Sequence, residues 1–187
     1  VSFLSACRMM ALIGLNGYNL SATPNPTFFS EFTNPCINKL KQQSMTNRHG
    51  WALVLYDYTD PTPNIQPWNE FRGSSPAYSD PGFSQAVSLI RNYRKARILL
   101  GHVRTASSGP SNISDPHPFI MTYGGRDFTF MHNGTVNRDA IVDSIAIADS
   151  TWLTTHPLQT EIDSEAYFSL IMLNIHKENG DILRGIR

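Results

Sequence analysis

Cysteine is scarce in this chain. Only Cys7 and Cys36 occur in 187 residues, which argues against a disulfide framework, and the absence of a CxxC pair argues against a thiolate zinc site. Charge is sparse as well: Asp, Glu, Lys and Arg make up 16% of the sequence, and 15 basic residues cancel 15 acidic ones. That balance provides no basic footprint for nucleic acid and no patch for an anionic membrane surface. No apolar run approaches the ~20 residues that a spanning helix requires. The six histidines fall in no HExxH or comparable ligand spacing, and no Gly-rich phosphate loop is present, so neither a metal nor another cofactor is expected. What remains is a globular chain long enough to bury a substantial core in one domain.

The N-terminal stretch "VSFLSACRMMALIG" contains the first chemically active candidate. "LSAC" has the apolar–small–small–Cys order of a bacterial lipoprotein cleavage site, yet only "VSF" precedes it. A signal peptide needs a basic segment and roughly 7–15 apolar residues. Cys7 is therefore a buried thiol, a lipid attachment point, or a nucleophile behind six removable residues. Cytoplasmic location is the expectation, with lipid anchoring through Cys7 as the alternative. Asn-x-Ser/Thr triplets at Asn19, Asn112 and Asn133 are common by chance and carry no weight.

Local pattern gives the following elements. "RMMALIGLNG" is a short apolar strand closed by Gly14 and Gly17. "NLSATPNPT" is a loop, and a helix is expected from Phe28 to Gln43, interrupted near Pro35. "HGWALVLYDY" is a buried strand, and the proline-rich "TDPTPNIQPWNEF" is a long hairpin connection. "DPGFSQAVSLIRNYRK" is a helix on the spacing of Phe83, Val87, Ile90 and Tyr93. "ARILLGHVRTA" is a buried strand running into the irregular "SSGPSNISDPHPF", and "RDFTFMHNG" is a strand stopped by a tight Asn-Gly turn. "SEAYFSLIMLNIHKENG" is an amphipathic helix, with Asp163 as N-cap and Gly180 as its stop. "GDILRGIR" begins a further helix. Strands and helices mix without strict βαβ alternation, which fits a layered α+β domain.

Several residues on these elements suit chemistry. Strand alternation places Ile98, Leu100, His102 and Arg104 on one face, with Arg104 at the strand end. There Arg104 is either a surface charge or a guanidinium fork for a substrate carboxylate. His102 is expected to be a core histidine, and His117, between prolines, a loop stiffener. Asn133 and Gly134 form either a hairpin turn, for which Asn-Gly is a strong signal, or an oxyanion hole built from an amide N–H and a backbone N–H. Asp163 either caps its helix or presents an oxygen to a ligand ammonium.

The order of these signals is more specific than any one of them. Cys-Arg opening a strand, then "HGWALVLY", "RGSSPAYSDPGF", "GHVRTA", "HPF", "MHNG" and "DSE", together resemble the class II glutamine amidotransferase domain of the N-terminal-nucleophile hydrolases, in its stand-alone branch without a synthase domain. The resemblance implies a four-layer α-β-β-α sandwich. It implies a domain over 7–187, incomplete at its C-terminal end, behind an extension at 1–6. It makes Cys7 the nucleophile, Asn133 and Gly134 the oxyanion hole, Arg104 the grip on the substrate α-carboxylate, and Asp163 the acceptor of the α-ammonium. It also places Thr105 and Ala106 where the family lines its glutamine pocket. His49 and Ala52 in "HGWA" replace the more usual Asp and Gly of this branch, which leaves the shape of the pocket rim open. The implied activity is hydrolysis of the side-chain amide of glutamine or a γ-glutamyl compound through a γ-glutamyl thioester. The implied partner is a small-molecule substrate, and a homodimer or an ammonia-accepting protein stays open. Two alternatives also stand: a catalytically silent or lipid-anchored binding protein on the same fold, and a cysteine hydrolase with His102 or His117 as base.

Overall fold

In the computed structural model, residues 7–14, 20, 26–56, 68–92, 96–106 and 116–187 are described. The chain divides into two compact units, Val1–Ala106 with Pro110–Pro118, and Ser107–Gly109 with Phe119–Arg187. Length alone pointed to one domain, and the two units are a finer division than that argument resolves.

The first unit is built on a sheet. Its strands are β1 (Arg8–Ile13), β2 (Trp51–Tyr56), β3 (Trp68–Gly73) and β4 (Ile98–Val103), and its helices are α1 (Pro26–Phe28), α2 (Asn34–Gln43) and α3 (Pro81–Asn92). The strands lie in the order β1-β4-β2-β3, and every neighbouring pair is antiparallel. All six residues of β2 are buried, as a central strand covered on both faces requires. On one face Leu53, Leu55, Leu99 and Val103 join Ile37 and Leu40 of α2 and Phe83, Ala86 and Ile90 of α3 in a single core. Each such Leu, Ile, Val or Phe side chain contributes about 1.5–3 kcal/mol on leaving water. Gly101 makes the close approach of α2 feasible, because a Cβ there would lie 2.7 Å from Leu40 Cδ2.

The helix expected over 28–43 is broken where Pro35 demanded it. A π-helical turn, Phe29–Thr33, precedes α2. Pro35 has no N–H and its ring crowds the carbonyl four residues back, so the preceding turn widens and the helix restarts. The "RGSSPAYSDPGF" stretch is a clamp on the core. Trp51 Nε1 donates to Asp80 Oδ2 at 2.7 Å, and the Gly82 N–H donates to Asp80 Oδ1 at 2.8 Å, tying down the start of α3.

The second unit consists of β5 (Phe119–Tyr123), β6 (Arg126–Phe130), α4 (Arg138–Ala148), α5 (Trp152–Thr155), α6 (Asp163–Lys177) and α7 (Ile182–Gly185). β5 and β6 form an antiparallel hairpin. Its two turn residues, Gly124 and Gly125, take φ of 58° and 72°, the left-handed pair that a two-residue hairpin needs. Phe119, Ile145, Trp152, Phe168, Met172, Leu173 and Ile175 make a separate core, in which Phe130 stacks on Phe168 at 5.4 Å and Trp152 Nε1 donates to Ser169 Oγ.

Four expectations need correction. "WNEF" belongs to strand β3 rather than to the hairpin connection, because pairing with β2 overrides its polar composition. Phe119 opens strand β5 rather than closing an irregular run. Asn133-Gly134 is not a hairpin turn: the hairpin turns at Gly124-Gly125, and the Asn-Gly step sits in the connection between β6 and α4. Asp163 lies one residue inside α6, whose N-cap is Ile162. The connection at 57–67 and the loop at 107–115 lie outside the described residues, as do Val1–Ala6 and the sequons at Asn19 and Asn112.

Candidate active site

In the first unit the ends of β1 and β4 bring Cys7 to Thr105. The antiparallel register pairs Arg8 with Val103, so the next step along both strands sets Cys7 beside the Arg104–Thr105 segment. Cys7 is half-buried and free. Its Sγ accepts from the Thr105 N–H at 3.3 Å and donates to the Thr105 carbonyl at 3.5 Å. Arg104 is buried, at 5% exposure. Its backbone continues the ladder past β4, donating to Gly50 O and accepting from the His49 N–H.

The turn after α2 holds the other side of this segment. Thr105 Oγ1 donates to Asn47 Oδ1 at 2.6 Å, and the Ala106 N–H donates to His49 Nδ1 at 2.8 Å. Asn47, 1% exposed, is itself fixed by donating to Gln43 O at 2.8 Å, one of the carbonyls that a helix C-terminus leaves open. Gly50, at φ +110° with Gly73 O only 2.7 Å from where a Cβ would stand, admits no side chain. Sequence reading singled out His49 only as a departure and missed Asn47. Their partners lie 57 and 58 positions away, and no local pattern encodes such a pairing.

Behind this segment lies a buried pair of histidines. The His117 N–H donates to His102 Nδ1 at 2.9 Å, and His117 Nδ1 stands 3.2 Å from His102 Nε2. With Nδ1 accepting, His102 carries its proton on Nε2 and offers it to His117. Both ring nitrogens of His102 are thus engaged by His117. Burial, then the neighbouring His117, Arg104 and Arg72, hold His102 well below the ordinary histidine value of 6.5. Arg72 straps the same loop by donating to Pro116 O and Pro118 O. Ala52, across the ladder from both His102 and Arg72, leaves room for this packing. His102 is therefore the core histidine its strand suggested, and its geometry does not suit a general base.

In the second unit two distant motifs meet. The Val136 N–H donates to Asp163 Oδ2 at 2.8 Å, while Asp163 Oδ1 accepts from the Ser164 N–H at 2.9 Å. His132 Nδ1 lies 3.0 Å from Ser164 Oγ. The start of α6 thus grips the loop on either side of Asn133 and Gly134, both of which are exposed. A Cβ on Gly134 would stand 2.7 Å from His132 Nε2, so a larger residue here would push the imidazole aside.

Among the described residues no group of three or more His, Cys, Asp or Glu is arranged to hold a metal. No described helix is long and apolar enough to cross a membrane.

The sequence model of the family described as glutamine amidotransferases class-II matches residues 12–185. The chain belongs to this family. Three curated proteins are similar to the chain at low identity, and two of them are named putative glutamine amidotransferases. The "putative glutamine amidotransferase YafJ" of Escherichia coli is 25% identical over 89 residues, which is 47% of this chain and 31% of that protein. A "putative glutamine amidotransferase" of Haemophilus influenzae is 34% identical over 94 residues, 46% of this chain and 28% of that protein. The "uncharacterized protein MJ1515" of Methanocaldococcus jannaschii is 23% identical over 145 residues, 75% of this chain and 34% of that protein. The chain thus spans about a third of the length of these relatives. No solved structure matches it significantly. In this class II amidotransferase Arg104, Thr105, Asn133, Gly134 and Asp163 fall within the matched residues, and Cys7 stands just before them.

Proposed function

We propose that this class II amidotransferase hydrolyses the side-chain amide of glutamine or of a γ-glutamyl compound, with Cys7 as an N-terminal nucleophile. The observation that carries this reading is the position of the Cys7 thiol. It is bound through its sulfur to the Thr105 peptide, at the end of the strand that delivers Arg104.

The chemistry follows from what one residue supplies. Hydrolysing an amide needs a strong nucleophile and a proton carrier, and an N-terminal cysteine has a thiol and an α-amine on the same carbon. The amine takes the thiol proton, the sulfur bonds to the γ-carbonyl carbon, and the oxyanion settles on the Asn133 amide and the Gly134 N–H. The proton passes to the leaving nitrogen as the C–N bond breaks. Water then attacks the γ-glutamyl thioester and releases glutamate with the free thiol. Arg104 holds the α-carboxylate bidentately, Thr105 lines the pocket beside it, and Asp163 receives the α-ammonium. The overall architecture in this reading is the four-layer sandwich, with no cofactor in the reaction.

Supporting this over a silent binding fold, the Asn-Gly step lies outside the hairpin turn that would explain it structurally. A screen of γ-glutamyl amides for glutamate release, with Cys7→Ser in parallel, tests the proposal. Release that needs the thiol is expected. Release at the same rate from Cys7→Ser would overturn it.

A further inference from the structure

The peptide group joining Thr105 to Ala106 is engaged at both ends. Its carbonyl oxygen accepts from the Cys7 thiol at 3.5 Å, and its N–H donates to His49 Nδ1 at 2.8 Å. A peptide group is planar and rigid, so fixing the N–H direction fixes the carbonyl direction. The N–H and carbonyl also polarise one another, so an acceptor at the N–H end strengthens the carbonyl as an acceptor. His49 is well placed for this, because its own backbone N–H is held by Arg104 O at 3.0 Å. Accepting at Nδ1 requires the neutral ring with its proton on Nε2. Asn47 supports the same segment from the Thr105 side chain.

We propose that His49 is a positioning residue for the Cys7 thiol, acting through the Thr105–Ala106 peptide. The proposal deepens the reading of Cys7 as nucleophile and rests on it for its catalytic consequence. With His49 in place, the sulfur is pinned between the N–H and the carbonyl of Thr105 and keeps one orientation. Without it the peptide is free to rotate, the sulfur leaves its seat, and the thiol samples orientations that do not attack a bound amide.

The test compares His49→Ala and His49→Asn in the full 187-residue chain. The Asn side chain retains a short acceptor for the Ala106 N–H. The first readout is the rate at which iodoacetamide alkylates Cys7, resolved from Cys36 by peptide mass spectrometry. Release of the pinned thiol raises Cys7 alkylation at least threefold in His49→Ala, a size set by roughly one neutral hydrogen bond. Cys36 alkylation stays unchanged, and His49→Asn returns Cys7 to near the wild-type rate. The second readout, on chains beginning at Cys7, is a kcat about tenfold lower in His49→Ala with KM altered less than threefold, again restored by Asn. Unchanged Cys7 alkylation in His49→Ala overturns the proposal. So does an equal rise at Cys36, which marks general loosening. If Cys7 proves not to be the nucleophile, the second readout vanishes for every chain while the alkylation comparison still decides the role of His49.

Discussion

Asp163→Asn separates the structural role of the native carboxylate from the ammonium-binding role proposed for it. The side chain accepts backbone N–H groups from Val136 at 2.8 Å and Ser164 at 2.9 Å, one on each oxygen. Asparagine keeps one carbonyl oxygen and turns the other corner into an NH₂ that faces a donor. A hydrogen bond to a charged group contributes about 1.5–3 kcal/mol. Loss of negative charge at a helix start adds about 0.3–1 kcal/mol. Asp163 is only half-buried, so water recovers part of this, and a net loss of about 2–3 kcal/mol is expected. For a chain of this size that corresponds to a fall in Tm of roughly 4–12 °C. The catalytic role is read separately, by comparing glutamine with glutaramate, the same amide lacking the α-ammonium. If Asp163 receives the ammonium, Asp163→Asn reduces the kcat/KM preference for glutamine over glutaramate by about tenfold or more. A Tm that falls as computed with an unchanged preference would show that Asp163 only holds the 132–136 loop. A Tm that does not fall would refute the geometry from which the magnitude was worked.

Three further outcomes follow from the same structure. Arg104→Lys raises KM for glutamine at least about tenfold, because a point-charge ammonium does not reproduce a bidentate carboxylate clamp; unchanged steady-state kinetics would remove Arg104 from the site. Asn133→Ala lowers kcat by roughly 10²–10³ while Tm is preserved, the usual result of losing one oxyanion donor; a fall in Tm with unchanged turnover per folded molecule would leave it a structural residue. His102 is held neutral by burial and by its cationic neighbours, so the unfolded chain takes up a proton that the folded chain refuses. Its contribution is intact above pH 6.5 and lost as pH falls below that value, at up to about 1.4 kcal/mol per pH unit. His102→Asn keeps an acceptor for the His117 N–H and flattens that part of the stability profile, measured by chemical denaturation at pH 7.5 and pH 5.5. An identical slope in the variant would show that another group carries it.

The elements that could be read directly from the sequence are those whose pattern is set by burial. β2 and β4 are central strands, so Trp51–Tyr56 and Ile98–Val103 are nearly continuous apolar runs. α6 carries one long apolar face into a core of its own. The helix break at Pro35 was legible because proline acts locally. β3 was hidden for the opposite reason. It is an edge strand carrying Asn69, Glu70 and Arg72, and its strand character comes from its partner β2. β5 begins directly after Pro118, where the prolines of the preceding loop obscure its short pattern. Cys7, Arg104, Asn133 and Asp163 were nameable as candidates from their motifs, but the contacts around them are not local. His49 reaches Ala106 and Asn47 reaches Thr105 across more than fifty positions. Asp163 reaches Val136 across 27. Such pairings are made by the ladder and the helix start, and only the folded chain reveals them.

Whether Cys7 works with its own α-amine, as proposed, is decided by one comparison. Two proteins are prepared, one beginning at Val1 and one beginning at Cys7, and intact mass is recorded before and after the assay. An amide nitrogen on Cys7 accepts no proton, and general base catalysis contributes typically 10²–10⁴-fold. Glutamate release from glutamine by the Val1 form is expected to be at least about 10²-fold slower than by the Cys7 form. Equal rates, with Val1–Ala6 still attached at the end of the reaction, would contradict it.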